Sequence, residues 1–198
     1  PNDPLYENYI WPQEQDIEEN IEGTHFNSFF VGNELDHYGK LMGMGIFCHE
    51  LGHALGLPDF YNTNPYVTLP RNPFGFWSIM DAGPYVNRAN APIGYTAYER
   101  SYLGWLKIKE LTEPETVKLD PVSNREGQLA AIVRSPNSRL EYFILENRTS
   151  DTWYPKEYKE NRGGSYETLT FGDGLMLSHY AYDKYTWASN NVNSNAQK

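Results

Sequence analysis

The feature that most constrains this chain is the run His49-Glu50-Leu51-Gly52-His53, set inside an apolar repeat. Leu41, Met44, Cys48, Leu51 and Leu55 recur at steps of three and four, which predicts a helix over 41–55 with one apolar face. Gly56, just past the repeat, and Pro58 predict its stop. On such a helix His49 and His53, four apart, project from one face about one turn apart. Two imidazole nitrogens so placed can reach one zinc ion at ~2.0–2.1 Å. Glu50 lies at the edge of that face, where a carboxylate can take a proton from a water without being a ligand.

A catalytic zinc takes a third protein ligand and keeps one position open. The chain continues Ala54-Leu55-Gly56-Leu57-Pro58-Asp59, so Gly56 permits a sharp exit and Asp59 can return to the metal. The spacing is that of the long zincin signature, His-Glu-x-x-His-x-x-Gly-x-x-His, with Asp in the last position. A bare His-Glu-x-x-His arises by chance; the added Gly and Asp make it specific. The plain alternatives are two helix histidines without a metal and, for Asp59 alone, a turn cap or a calcium ligand. Downstream, Phe74 to Gly83 carries Met80, spaced to form the apolar methionine floor found under metzincin zinc ligands; a core gap-filler is the other reading. Tyr85 is a candidate hydroxyl donor to an oxyanion, or else a packing tyrosine. The site read from the residues is therefore His49, His53 and Asp59 as ligands, Glu50 and Tyr85 as catalytic groups, and Met80 as floor.

Residues 1–24 are polar and acidic and read as loop, with Ile10-Trp11-Pro12 as an apolar anchor. Asn27 to Val31 reads as a strand, either of the core or an edge on which substrate aligns by main-chain pairing. Residues 59–92 read as a long irregular segment. Pro92 to Leu106 predicts a second helix with Tyr95, Tyr98, Tyr102 and Trp105 packed on the core. Beyond residue 108 the pattern turns to strands at 130–133, 142–145 and 175–181. The expected class is α+β: a zincin-like catalytic region over 1–108, then a β-rich continuation or subdomain over 109–198.

Acidic residues outnumber basic ones, 26 to 16, so the chain lacks the basic footprint of a nucleic-acid binder or an anionic membrane surface. Spare carboxylates suit a structural calcium, and Asp81, Glu146 and Asp173 are candidates, although Gly172-Asp173-Gly174 equally suits a turn. Cys48 is the single cysteine, so no internal disulfide forms, and it reads as a small buried hydrophobe. No run approaches the ~20 apolar residues of a membrane-spanning helix. The start, Pro1-Asn2-Asp3-Pro4, has no signal-peptide pattern, so the chain reads as a mature or cut form. His25 and His37 lack metal-like spacing, and His179 is expected to be a hydrogen-bonded core histidine.

The stretch from His49 to Tyr61 resembles the zinc motif of the M6 peptidases, the immune inhibitor A family. Ile10-Trp11-Pro12 resembles that family's lead-in, and Trp77 to Gly83 its methionine segment. Tyr98 to Leu106, Tyr142 to Arg148 and Gly174 to Tyr180 resemble later blocks. The resemblance implies a secreted bacterial metalloendopeptidase, zinc as the catalytic ion, calcium as a structural one and a removable pro-segment. It implies protein or peptide substrates and a location outside the cell or at its surface; a monomer is expected. The small span before the zinc helix leaves the expected upper sheet largely missing, which suggests a fragment. The alternative function is a catalytically inactive or truncated peptidase-like binding module.

Overall fold

The computed structural model describes residues 12–35, 39–64, 66, 72–150, 154, 157–162 and 165–194. Ile10, Trp11 and His37 lie outside them. The chain opens with a hairpin of β1 (Gln13–Ile21) and β2 (Thr24–Val31), paired antiparallel with Ile21 opposite Thr24. Its turn residues Glu22 and Gly23 both take positive φ, +50° and +82°, the twist that closes a two-residue hairpin. This corrects the loop expected over 1–24. The acidic run Gln13 to Ile21 shows no alternation of its own; pairing with β2 supplies its strand geometry.

Helix α1 spans Gly45–Ala54, shorter at its start than the predicted 41–55. Gly45 donates its N–H to the Ala89 carbonyl at 2.8 Å, and a Cβ there would overlap the Pro84 carbonyl oxygen. The helix therefore begins where the 84–89 segment crosses it. The apolar face is also corrected. Leu41, Met44, Leu51 and Leu55 are exposed, whereas His49, Glu50 and Gly52 are buried. Burial follows the face that meets the following loops, and among the described residues those loops lie on the histidine side. Cys48 is half-buried against the core.

The described residues of 59–92 are irregular as expected, apart from single 3₁₀ turns at Gly75–Trp77 and Gly83–Tyr85. Helix α2 is short, Ala97–Tyr102. Thr96 accepts from the Glu99 N–H while Glu99 accepts from the Thr96 N–H, a capping box that fixes the start well after Pro92. Tyr98 is buried, but Tyr102 and Trp105 are exposed.

The later half is built on a sheet ordered β3-β4-β5-β8, from β3 (Lys109–Glu110), β4 (Ala130–Arg134), β5 (Glu141–Arg148) and β8 (Gly174–Ala181). A separate hairpin joins β6 (Glu157–Arg162) to β7 (Ser165–Thr170). Helix α3 (Lys184–Ala188), capped by Asp183, follows β8. The three predicted strands are β4, β5 and β8; β3, β6, β7 and α3 carry no readable period. One aromatic core crosses residue 108. Phe60, Tyr98, Tyr142, Tyr180 and Trp187 meet within it, the Tyr98 and Tyr180 rings at 4.0 Å. No helix of the described residues is long and apolar enough to cross a membrane.

Candidate metal centre

The end of α1 sets the geometry of the site. Gly56 takes φ +94°, its N–H bonds the His53 carbonyl at 2.8 Å, and the Leu57 N–H bonds the Gly52 carbonyl at 2.9 Å. This is a Schellman turn, which an L side chain at the Gly56 position would strain. The turn swings the Leu57 carbonyl back beneath His53, whose Nδ1 lies 2.8 Å from it. Two residues on, Asp59 faces the helix, and Phe60 behind it is sunk in the core at 2% exposure. The loop that carries Asp59 is thus anchored by an aromatic side chain immediately after the carboxylate.

His49 is held from the other side, its Nδ1 lying 2.8 Å from the Ile79 carbonyl. A carbonyl only accepts, so both rings donate through Nδ1, and each neutral imidazole presents Nε2 as a bare lone pair. The two Nε2 atoms lie 3.1 and 3.3 Å from the same oxygen, Oδ1 of Asp59. That oxygen is buried with no hydrogen-bond partner. With both rings neutral these three lone pairs repel, and a proton or a metal cation among them reverses the sign. Among the described residues, His49, His53 and Asp59 are the group of His, Cys, Asp or Glu side chains arranged to hold a metal. Burial pushes the Asp59 carboxyl up, but the adjacent His49 and His53 rings pull it down further, well below the ordinary range. For His53 burial lowers the ring's affinity for a proton, and Asp59 and the Leu57 carbonyl more than restore it.

Glu50 is buried beside His49, His53 and Asp59, and its Oε2 accepts the Glu14 main-chain N–H at 2.9 Å. Among the described residues, the strand whose main chain reaches Glu50 is β1, with the 27–31 segment paired beside it in β2. Met80 is fully buried, and a Cβ on Gly52 would overlap its Sδ, so Met80 fits under the helix only because position 52 is glycine. Its carbonyl holds the Phe60 N–H at 2.7 Å. Tyr85 exposes 58% of its surface at the rim of an open cavity of about 830 Å³ that also contains His49, Glu50, His53 and Asp59. Partial desolvation, then the carboxylates of Glu50 and Asp59, raise the pKa of its hydroxyl and keep it protonated.

The other candidates are placed elsewhere. His179 is not a core residue: its ring is exposed, 3.1 Å from Glu141 Oε1. Strand alternation puts its neighbours Ser178 and Tyr180 inside instead. His25 pairs with Glu18 at 3.2 Å. Asp81 accepts from Asn72 and from the Phe74 and Gly75 N–H groups, Glu146 from Ala97 and Arg148, and Asp173 from Ser150. These carboxylates, expected to hold calcium, are engaged by hydrogen-bond donors. Two residues at the site escaped the sequence reading. Tyr61 stacks on His49, with ring centroids 6.3 Å apart, and lies by Asp59; burial, then that carboxylate, raises the pKa of its hydroxyl. Its place two residues after Asp59 was a usable signal. Asn190 lies 131 residues along the chain, bonded to Asp59, and nothing local marks it.

The chain thus combines helices and sheets with a largely buried His-His-Asp cluster able to hold a metal ion. Comparison with known proteins agrees: residues 11–107, just under half of the chain, match the family described as immune inhibitor A peptidase M6, catalytic domain. The chain resembles that family. Two curated relatives are the pre-pro-metalloprotease PrtV of Vibrio cholerae serotype O1, from strains M66-2 and El Tor Inaba N16961. Each is 27% identical over 141 residues, covering 61% of this chain and 15% of the relative's length. No solved structure matches the chain significantly.

Proposed function

We propose that residues 1–108 carry the catalytic centre of a secreted, zincin-like zinc endopeptidase, and that residues 109–198 continue the same unit. One observation carries this reading: His49 Nε2, His53 Nε2 and Asp59 Oδ1 converge in a largely buried place, while main-chain carbonyls hold Nδ1 of both rings. Bonds of ~2.0–2.1 Å to one zinc imply a tetrahedral edge of about 3.3 Å, close to the 3.1 and 3.3 Å separations present. Bound there, zinc would polarise the scissile carbonyl and acidify the attacking water.

The chain's own residues supply the rest. Glu50, beside the ligands and not among them, takes the proton from the attacking water and delivers it to the leaving amine. The Tyr85 hydroxyl at the rim donates to the oxyanion that develops on the carbonyl oxygen. Met80 keeps the floor apolar and fixes the helix against the Ser78–Asp81 segment. Protein substrates follow from the peptidase family, and secretion from the pre-pro form that the relatives' name states.

The test is casein cleavage by the protein with and without a zinc chelator, beside Glu50→Gln. Chelator-sensitive cleavage that falls about 10²–10⁴-fold in Glu50→Gln, with zinc still bound, is the expected result. Zinc binding without any cleavage would turn the reading toward a peptidase-like binding module.

A further inference from the structure

Asp59 has two carboxylate oxygens, and the structure treats them differently. Oδ1 faces the two imidazoles without a partner, while Oδ2 accepts from Asn190 Nδ2 at 2.7 Å. The same amide works at a second point, its Oδ1 accepting the Asp59 main-chain N–H at 2.6 Å. The chemistry fixes the amide's orientation. Flipped, it would set NH₂ against N–H and oxygen against a carboxylate, losing both bonds at once. The clasp therefore grips Asp59 by backbone and side chain together and leaves one oxygen free to turn.

Asn190 is itself held in place. It lies just past α3 at φ +54°, a left-handed conformation that Gly, Asn and Asp tolerate best. Its carbonyl accepts from Thr63 Oγ1 at 2.9 Å. On either side of it, Trp187 Nε1 donates to the Gly56 carbonyl at 2.9 Å and Asn193 Nδ2 to the Phe60 carbonyl at 2.7 Å. The segment 187–193 thus straps the whole ligand turn, Gly56 to Thr63, from outside the 11–107 span that matches the peptidase family.

We propose that Asn190 is a positioning residue of the metal centre, holding Asp59 so that a single oxygen, Oδ1, is offered to the cation beside His49 and His53. The inference rests on the metal-site reading above. A partner that orients a ligand in this way typically governs metal affinity by 10–100-fold. The choice of a neutral amide is physical as well: it donates to Oδ2 without adding a charge that competes with the cation.

The experiment compares the wild-type protein with Asn190→Gly and Asn190→Asp. Glycine keeps the left-handed backbone and removes the clasp. Aspartate keeps the backbone and the acceptor for the Asp59 N–H but sets a carboxylate against Oδ2. Zinc affinity is read by competition with a chromophoric chelator, and coordination by the visible spectrum of the cobalt(II)-substituted protein, with circular dichroism checking that each metal-free variant is folded. The expected result is a zinc affinity weaker by about 10–100-fold in folded Asn190→Gly, with an altered cobalt spectrum, and a similar loss in Asn190→Asp. A merely structural Asn190 would lower the unfolding temperature yet leave affinity and spectrum unchanged in the folded variants, which would overturn the proposal. If glycine prevents folding, the aspartate variant decides by the same criteria. Wild-type protein that binds neither ion would instead sink the metal-site reading itself, a result distinct from normal binding by the variants.

Discussion

In the sheet, β5 satisfies its main chain by pairing on both flanks, with β4 from Ala130 to Arg134 and with β8 from Gly174 to Ala181. Between Gly56 and Ile79 several carbonyls go instead to single side chains. Gly56 is taken by Trp187, Leu57 by His53, Phe60 by Asn193 and Ile79 by His49. A ladder is redundant, since losing one rung leaves its neighbours in place. The loop contacts have no such substitutes, and two of them hold Nδ1 of His49 and His53. The sheet half should therefore tolerate local change with little effect on the site, whereas the loop half should convert small changes into chemistry. The two meet in a buried network. Arg148 of β5 pairs with Glu146 and donates to the Trp77 carbonyl, and Glu99 accepts from Ser78, whose hydroxyl in turn accepts the Met80 N–H.

The largest expected effect lies in that network. Glu146→Ala leaves Arg148, at 2% exposure, without its carboxylate and strips the Ala97 N–H of its acceptor. A loss of about 3–5 kcal/mol in urea unfolding is expected. Zinc affinity of the remaining folded protein should stay within a few-fold of wild type; a fall as large as that of Asn190→Gly would erase the contrast between the halves. The reverse signature belongs to Tyr85→Phe, at the exposed rim. Its rate should drop by roughly 10²-fold or less, chiefly in kcat, with the unfolding midpoint unmoved. An unchanged kcat would remove Tyr85 from the chemistry.

The smallest effect concerns pH. Glu99 is fully buried, and burial raises its pKa despite hydrogen bonds from Ser78 and Thr96 and the nearby Arg148. Between the ordinary glutamate range and that raised value, the folded state holds a proton that the unfolded chain has released. Stability from this group therefore falls as pH rises through the window and recovers as pH falls. Relative to Glu99→Gln, the wild-type protein should gain stability as pH is lowered through the window. A difference independent of pH would mean that Glu99 titrates alike in both states.

The residues themselves carried a helix, expected over 41–55 and present over 45–54, its glycine exit and three of the later strands, because each has a period or a turn residue that acts locally. Sequence also brought His49, Glu50, His53, Asp59 and Met80 into consideration, since their spacing follows from helix geometry plus one turn. It misjudged which face of α1 is buried, because an apolar stripe records a preference for burial and not what stands opposite it. It missed β1, whose acidic residues become a strand through β2, and it put His179 inside when alternation in β8 turns it out. Tertiary structure alone decided which nitrogen of each histidine faces Asp59, because the Ile79 and Leu57 carbonyls that hold Nδ1 arrive by folding. It alone decided which oxygen of Asp59 is free, because the amide of Asn190 comes from 131 residues away. Spacing along a helix determines which ligands can share a face; their orientation depends on hydrogen bonds from distant segments, which no local pattern encodes.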